Sequence, residues 1–319
     1  MSRPSPMVTP STYGALPGSL LPSGDDAWDA RLKLLTLLNT ADLIASFRLD
    51  HLALPRGLLE VVCRIPALRF ARQLLAYDRL VDTGGLVAGS AWIVGQFAES
   101  FTIAGAEHIP RHGPALFVAN HPGLVDAPAI ITGIDRADLL VIAADRPFLR
   151  TLSATARYLL LVEPETSARR SGTVRRAAAH LRSGGALLIF PAGAIEPDPA
   201  TMPGALDSLA SWSASVALIA RLVPGCLIVP TAASGVIAGR ALRHSLVRVY
   251  RETRQRNWVA ATLQVLLPAY RRTPVRVRFG APLRASDLPR DAAAAMARIA
   301  GSMAQIIGAS VAEAAERQR

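Results

Sequence analysis

From Phe101 to Phe279 short apolar runs alternate with stretches of helical periodicity, and this alternation restricts the chain to a largely parallel sheet covered by helices on both faces. The runs expected as strands are residues 101–104, 115–119, 139–143, 159–162, 186–190, 227–231, 246–250 and 275–279. Helices are expected at 170–183 and 206–221, and the alanine-rich tail 289–319 reads as one closing helix. The fold class is therefore α/β, a mostly parallel mixed sheet flanked by helices.

A helical N-terminal region precedes it. Asp25 and Asp26 are cap candidates for an amphipathic helix over 26–47, with Leu32, Leu35, Leu38 and Leu43 at helical spacing. A second helical stretch follows Pro55 and is expected to be interrupted at Pro66. Residues 86–101 are apolar nearly all round, as suits a helix buried against the main domain. Pro and Gly recur from Pro4 to Gly24 without a basic stretch leading into an apolar core, so residues 1–25 read as a disordered leader rather than a signal peptide. The expected organisation is a leader (1–25), a helical region (26–100) and an α/β domain (101–319).

A mean hydropathy of +0.30 and 51% hydrophobic residues raise the question of a membrane span, which needs about 20 apolar residues. Residues 84–98 are too few, and 222–239 are broken by Pro224, Gly225 and Pro230, so a peripheral protein is expected rather than a spanning one. Cys63 and Cys226 stand far apart in apolar surroundings, which fits buried thiols in a reducing cytosol and gives no metal spacing. The net charge of +11, carried almost wholly by arginine, attracts polyanions, whether nucleic acid, anionic lipid headgroups or a phosphate-bearing cofactor. No aromatic-and-basic stacking segment or zinc-finger spacing points to nucleic acid, and no Gly-x-Ser-x-Gly elbow points to a serine hydrolase.

The sharpest site candidate is the run from Ala115 to Asp126, an apolar strand ending in Asn120-His121-Pro122-Gly123. In parallel sheets catalytic groups gather where strands end. The Pro-Gly turn lets the Asp126 carboxylate fold back to the His121 imidazole, fixing its tautomer and raising the basicity of the other ring nitrogen. Two further strand ends follow in order, Phe190-Pro191-Ala192-Gly193 and Leu227-Ile228-Val229-Pro230.

This ordered set, over roughly residues 102–283, resembles the glycerolipid acyltransferase superfamily, which acylates glycerol phosphate and lysophosphatidic acid. The resemblance implies that His121 is the general base, oriented by Asp126, for attack of a lipid hydroxyl on an acyl thioester. It implies no metal and no tightly bound cofactor, a donor of acyl-CoA or acyl carrier protein, a lipid acceptor, and a cytoplasmic, peripherally membrane-associated enzyme on an anionic surface. Asn120 would support the histidine, backbone amides near Gly193 would stabilise the oxyanion, and Phe190, Pro191, Ala192 and Pro230 would line the substrate site.

The motifs also depart from the family. Ala192 stands where the family has Glu, and Ile195 where it has the arginine that binds the acceptor phosphate. The second motif appears only as Leu159–Val162 followed by Glu163-Pro164, with no arginine in register. Arg146, and next to it the Arg169-Arg170 pair, are the candidates to contact a phosphate instead. These departures support the alternative of a non-catalytic protein that holds an acyl chain or lipid. Residues 254–272, apolar in the middle with Trp258, Tyr270 and arginines toward the ends, fit either a helix lying in the headgroup region or one packed on the sheet.

Overall fold

The structure, a computed structural model, describes residues 7–8, 26–47, 55–162 and 167–317. Apart from Met7–Val8, the expected leader lies outside the described residues, as do Glu163-Pro164 and the Arg169 and Arg170 side chains.

Among the described residues nine strands form one mixed sheet: β1 (Met7–Val8), β2 (Ala98–Ala104), β3 (Ala115–Ala119), β4 (Leu139–Ala144), β5 (Leu159–Val162), β6 (Ala186–Ile189), β7 (Leu227–Ser234), β8 (Thr273–Phe279) and β9 (Leu283–Arg284). Their order is β1-β2-β8-β7-β3-β6-β4-β5, with β9 also on β7. The block β7-β3-β6-β4-β5 is parallel throughout, while β8 and β9 run antiparallel to β7. β3 is the second strand of this block, every residue buried, with β6 and β7 on either side. Loops leaving β3, β6 and β7 therefore meet at one edge, as happens where a parallel sheet reverses its winding.

The helices are α1 (Asp26–Ser46), α2 (Arg56–Phe97), α3 (Asp126–Ile134), α4 (Pro147–Thr151), α5 (Ser153–Ala156), α6 (Ser167–Arg182), α7 (Ser215–Leu222), α8 (Gly239–Leu242), α9 (Ser245–Arg248), α10 (Thr253–Leu266) and α11 (Ala292–Arg317). Alternation along the strands feeds two cores. Ala115, Phe117 and Ala119 face α2 and α3, whereas Leu116 and Val118 face α6, α7 and α11. Along α11 the buried stripe is Ala295, Ile299, Met303 and Ile307, at helical spacing. Residues Ala292–Glu316 are also long and apolar enough to cross a membrane by length and composition.

Several expected elements differ. The α2 segment runs through Pro66 and breaks instead at Gly85, whose φ of 81° lies in the left-handed region. The missing Pro66 donor frees the carbonyl of Val62, a residue exposed to water that can satisfy it. At Gly85 the chain folds back so tightly that a Cβ on Gly89 would meet Val81 at 2.5 Å. The helix expected over 86–101 ends at Phe97, because 98–104 pairs in parallel with β8. Residues 246–250 are not a strand: His244 caps α9, its Nδ1 accepting from Leu246 N at 3.2 Å. The single helix expected over 206–221 is a 3-10 turn (Asp207–Ser211) and α7, parted by the buried Trp212. β7 does not stop at Pro230. On that edge the ladder passes from β9, paired at Leu227 and Ile228, to β8, paired from Thr231, so the absent Pro230 N–H falls where no partner needs it.

One buried cation ties the opposite edge of the sheet. Arg136 donates to the carbonyls of Pro110 (3.0 Å), Gly113 (2.9 Å) and Gly184 (3.0 Å) and pairs with Asp138 at 2.6 Å, joining the segments that lead into β3, β4 and β6. Arg136→Met should lower stability by about 2–4 kcal/mol, because three carbonyls lose their donor. Urea unfolding followed by tryptophan fluorescence should register this as a lower midpoint with an unchanged slope.

Candidate active site

β3 delivers Asn120 and His121 to the carboxyl edge of the sheet. Asn120 is buried and behaves like one more strand residue: its amide donates to Ala233 O at 3.0 Å, and its Oδ1 accepts from Ala233 N at 2.8 Å. This extends the β3–β7 ladder past the Ala119–Thr231 pair and fixes where the next residue emerges.

His121 is that residue. Its side chain keeps 25% exposure, and Nδ1 stands 2.8 Å from Asp126 Oδ2. Asp126 is the first residue of α3 and fully buried; its carboxylate also accepts from Gly123 N at 3.0 Å and Ala127 N at 2.6 Å. The turn can close this tightly because Gly123 has no side chain: a Cβ there would lie 2.9 Å from Val236. With Nδ1–H donated to the carboxylate, Nε2 is the ring nitrogen left to carry a lone pair. Burial works against a charged ring, but Asp126, through its charge and hydrogen bond, and Glu196 outweigh it, so the imidazole is held above its ordinary value of 6.5.

The loop after β6 closes over the histidine. The Phe190 ring lies 4.8 Å from the imidazole, tilted by 40°. Pro191 is buried and its carbonyl accepts from Ser213 N at 3.0 Å. Gly193 has φ of 62°, and its N–H closes the turn onto Phe190 O at 3.1 Å. Space does not require a glycine there, since nothing lies within 4 Å of a Cβ, so the positive φ does. Because the Gly193 amide is engaged within its own turn, it is not itself a free oxyanion donor. Ala192 is half-buried beside the α7 and α11 core, and Ile195 is buried against Ile237, Ala241, Val247 and Val259.

Asn120, His121, Asp126, Phe190, Pro191 and Gly193 thus form one cluster. Arg146 stands apart from it, exposed after β4, two strands from β3 and near Asp42 of α1. Pro230 sits inside the sheet, in register with Val118 rather than at the strand end. Of the two readings open for residues 254–272, α10 follows the packed one over its middle: Val259 to Val265 are all buried.

Sequence reasoning missed the residues that hold the cluster. Glu196 Oε2 accepts from His121 N at 2.9 Å, and Oε1 accepts from Ser208 Oγ at 2.9 Å and Trp212 Nε1 at 2.8 Å. Two residues on, the fully buried Asp198 accepts from Gly235 N (2.9 Å), Val236 N (2.6 Å), Ile237 N (2.8 Å) and Ala200 N (2.9 Å). Gln264 of α10 holds the same segment, accepting from Ala238 N at 2.9 Å and donating to Val236 O at 2.7 Å. The available signal was Glu196-Pro197-Asp198-Pro199, two acids alternating directly after a strand-end turn.

Residues 100–234 match the family model described as Acyltransferase. Among solved structures, the chain is similar to that of the 1-acyl-sn-glycerophosphate (LPA) acyltransferase PlsC from Thermotoga maritima, at 18% identity and a TM-score of 0.41, over 89% of this chain and 97% of that one. No curated protein matches it.

Removing the Asp198 carboxylate as Asp198→Ala strands four buried or half-buried N–H groups and should cost about 2–4 kcal/mol. Amide exchange at Gly235, Val236 and Ile237 should quicken well beyond the rest of the sheet.

Proposed function

We propose, from the match of residues 100–234 to the family model described as Acyltransferase, that this chain moves a fatty acyl group from acyl-CoA or acyl carrier protein to a hydroxyl of a lysophospholipid or related lipid. The observation that carries this reading is the 2.8 Å contact of His121 Nδ1 with the buried Asp126, which leaves Nε2 as base on a partly exposed ring. Nε2 takes the proton of the acceptor hydroxyl as its oxygen attacks the thioester carbonyl. The C–S bond then breaks, and the imidazolium returns the proton to the departing thiolate. Asp126 stabilises the charged ring between these steps, and no covalent enzyme intermediate forms. No metal or bound cofactor enters this scheme.

Such a substrate lives in a membrane, and we assign the contact to two exposed apolar sets. On α2, Leu58, Val61, Val62 and Ile65 form an exposed stripe at helical spacing, opposite the buried Cys63 and Ala67. The segment after β7 exposes Leu246 and Val249, the latter at 75%, among exposed Arg240, Arg243, Arg248, Arg251, Arg254 and Arg256. The end of α1 is fastened to this segment, Ser46 O accepting from Gln255 Nε2 at 2.7 Å and Phe47 O from the Tyr250 hydroxyl. Arginines around exposed aliphatic side chains suit a peripheral contact with anionic lipid.

The first test is transfer of labelled acyl groups from acyl-CoA and acyl carrier donors to a panel of lysolipids. His121→Ala should lose roughly 10²–10⁴-fold in rate. The native rate should rise with pH through a midpoint above 6.5, because only the neutral ring accepts the proton and the folded protein holds its pKa up. Asp126→Asn should move that midpoint down. No product from any pair, with lipid bound equally by native and mutant protein, would support the non-catalytic binding reading instead.

Vesicle flotation tests the membrane contact. Phosphatidylcholine vesicles carrying phosphatidylglycerol should retain the protein. The Arg248→Glu, Arg251→Glu, Arg254→Glu triple variant should weaken retention at least tenfold, at about 1 kcal/mol per basic residue. Equal retention of both proteins would refute this surface.

A further inference from the structure

We propose that Glu196 is a positioning residue for His121, one that fixes the main chain at the end of β3 and sets a second carboxylate close to the histidine. The inference rests on the reading of His121 as general base. Glu196 is 3% exposed and joined to His121 by two bonds: its Oε2 accepts from His121 N at 2.9 Å, and its own N–H donates to His121 O at 2.8 Å. Its other oxygen takes Trp212 Nε1–H and the Ser208 hydroxyl. Three donors therefore converge on one carboxylate, an arrangement that the ionised acid satisfies and a neutral amide, with an NH₂ facing a donor, does not.

Anchoring alone does not explain an acid here. The loop is already tied to His121 through the Glu196 main-chain N–H, and to the segment after β7 through Asp198. What the carboxylate adds is charge in a place with little water. The other elements packed against the ring contribute Asp126 from α3 and the Phe190 ring from the end of β6. The segment packed on Gly123 brings the apolar Val236 and Ile237. Asp126 and Glu196 thus hold the imidazole between two carboxylates, one bonded to the ring and one to its main chain. Both favour the charged ring that forms when the proton is taken.

The test is an NMR titration of the His121 ring in the full chain, its signal identified by its loss in His121→Ala. Glu196→Gln should lower the ring midpoint by roughly half to one pH unit, the range expected for losing one nearby charge. Glu196→Asp keeps the charge but withdraws it by one carbon, so its midpoint should fall by less, which also covers the case in which the Gln variant does not fold. The pH profile of kcat/KM should move with the ring midpoint in each variant. An unchanged ring midpoint in either folded variant overturns the proposal and leaves Glu196 as a structural tie. The titration needs no turnover, so failure to detect acyl transfer would count against the acyltransferase reading without deciding this one.

Discussion

The site depends on one device: buried carboxylates that receive main-chain N–H groups from neighbouring loops. Three strands, β3, β6 and β7, end side by side, and the segments leaving them carry amides that no strand or helix can satisfy. Asp126 gathers those of Gly123 and Ala127, Glu196 that of His121, and Asp198 those of Ala200, Gly235, Val236 and Ile237. A buried charge is costly unless it is fully hydrogen-bonded, and each acid meets that condition with at least three donors. The amino edge is tied by the converse arrangement, in which the Arg136 guanidinium gathers carbonyls from the segments entering β3 and β6. Loops bound at both edges by charge-assisted bonds give His121 a surround that packing of small residues alone would not fix.

The fold was legible because it is written in apolar runs, which burial on both faces of a parallel sheet enforces. Residues 115–119 and 159–162 emerge as strands with the expected bounds. The failures have local causes. Residues 246–250 are apolar enough for a strand, but the His244 cap starts a single helical turn there. Pro230 looked like a terminator because proline removes a donor, yet that donor was unneeded at the handover between β9 and β8. Gly85 rather than Pro66 breaks α2, since a lost hydrogen bond on a wet face matters less than a φ that only glycine adopts readily.

The histidine and its aspartate were legible for a different reason. Five residues with Pro122 and Gly123 between them leave few ways to fold, and one brings Nδ1 to a carboxylate. Glu196 and Asp198 lie some 75 residues further on, and nothing in local spacing announces that the N–H groups they accept from belong to His121 and to the segment after β7. Such contacts are properties of the strand order, which the alternation of runs does not carry.

The departure at Ile195 acquires a physical meaning in this arrangement. Its side chain does not face a polar acceptor site but joins Ile237, Ala241, Val247 and Val259 under the layer formed by α8, α9 and α10. An arginine at that position would have to bury its charge among these aliphatic side chains, which is costly unless the charge is paired. The outer surface of this layer carries Arg240, Arg243, Arg248, Arg251, Arg254 and Arg256, so positive charge in this part of the chain stands at the surface rather than around Ile195.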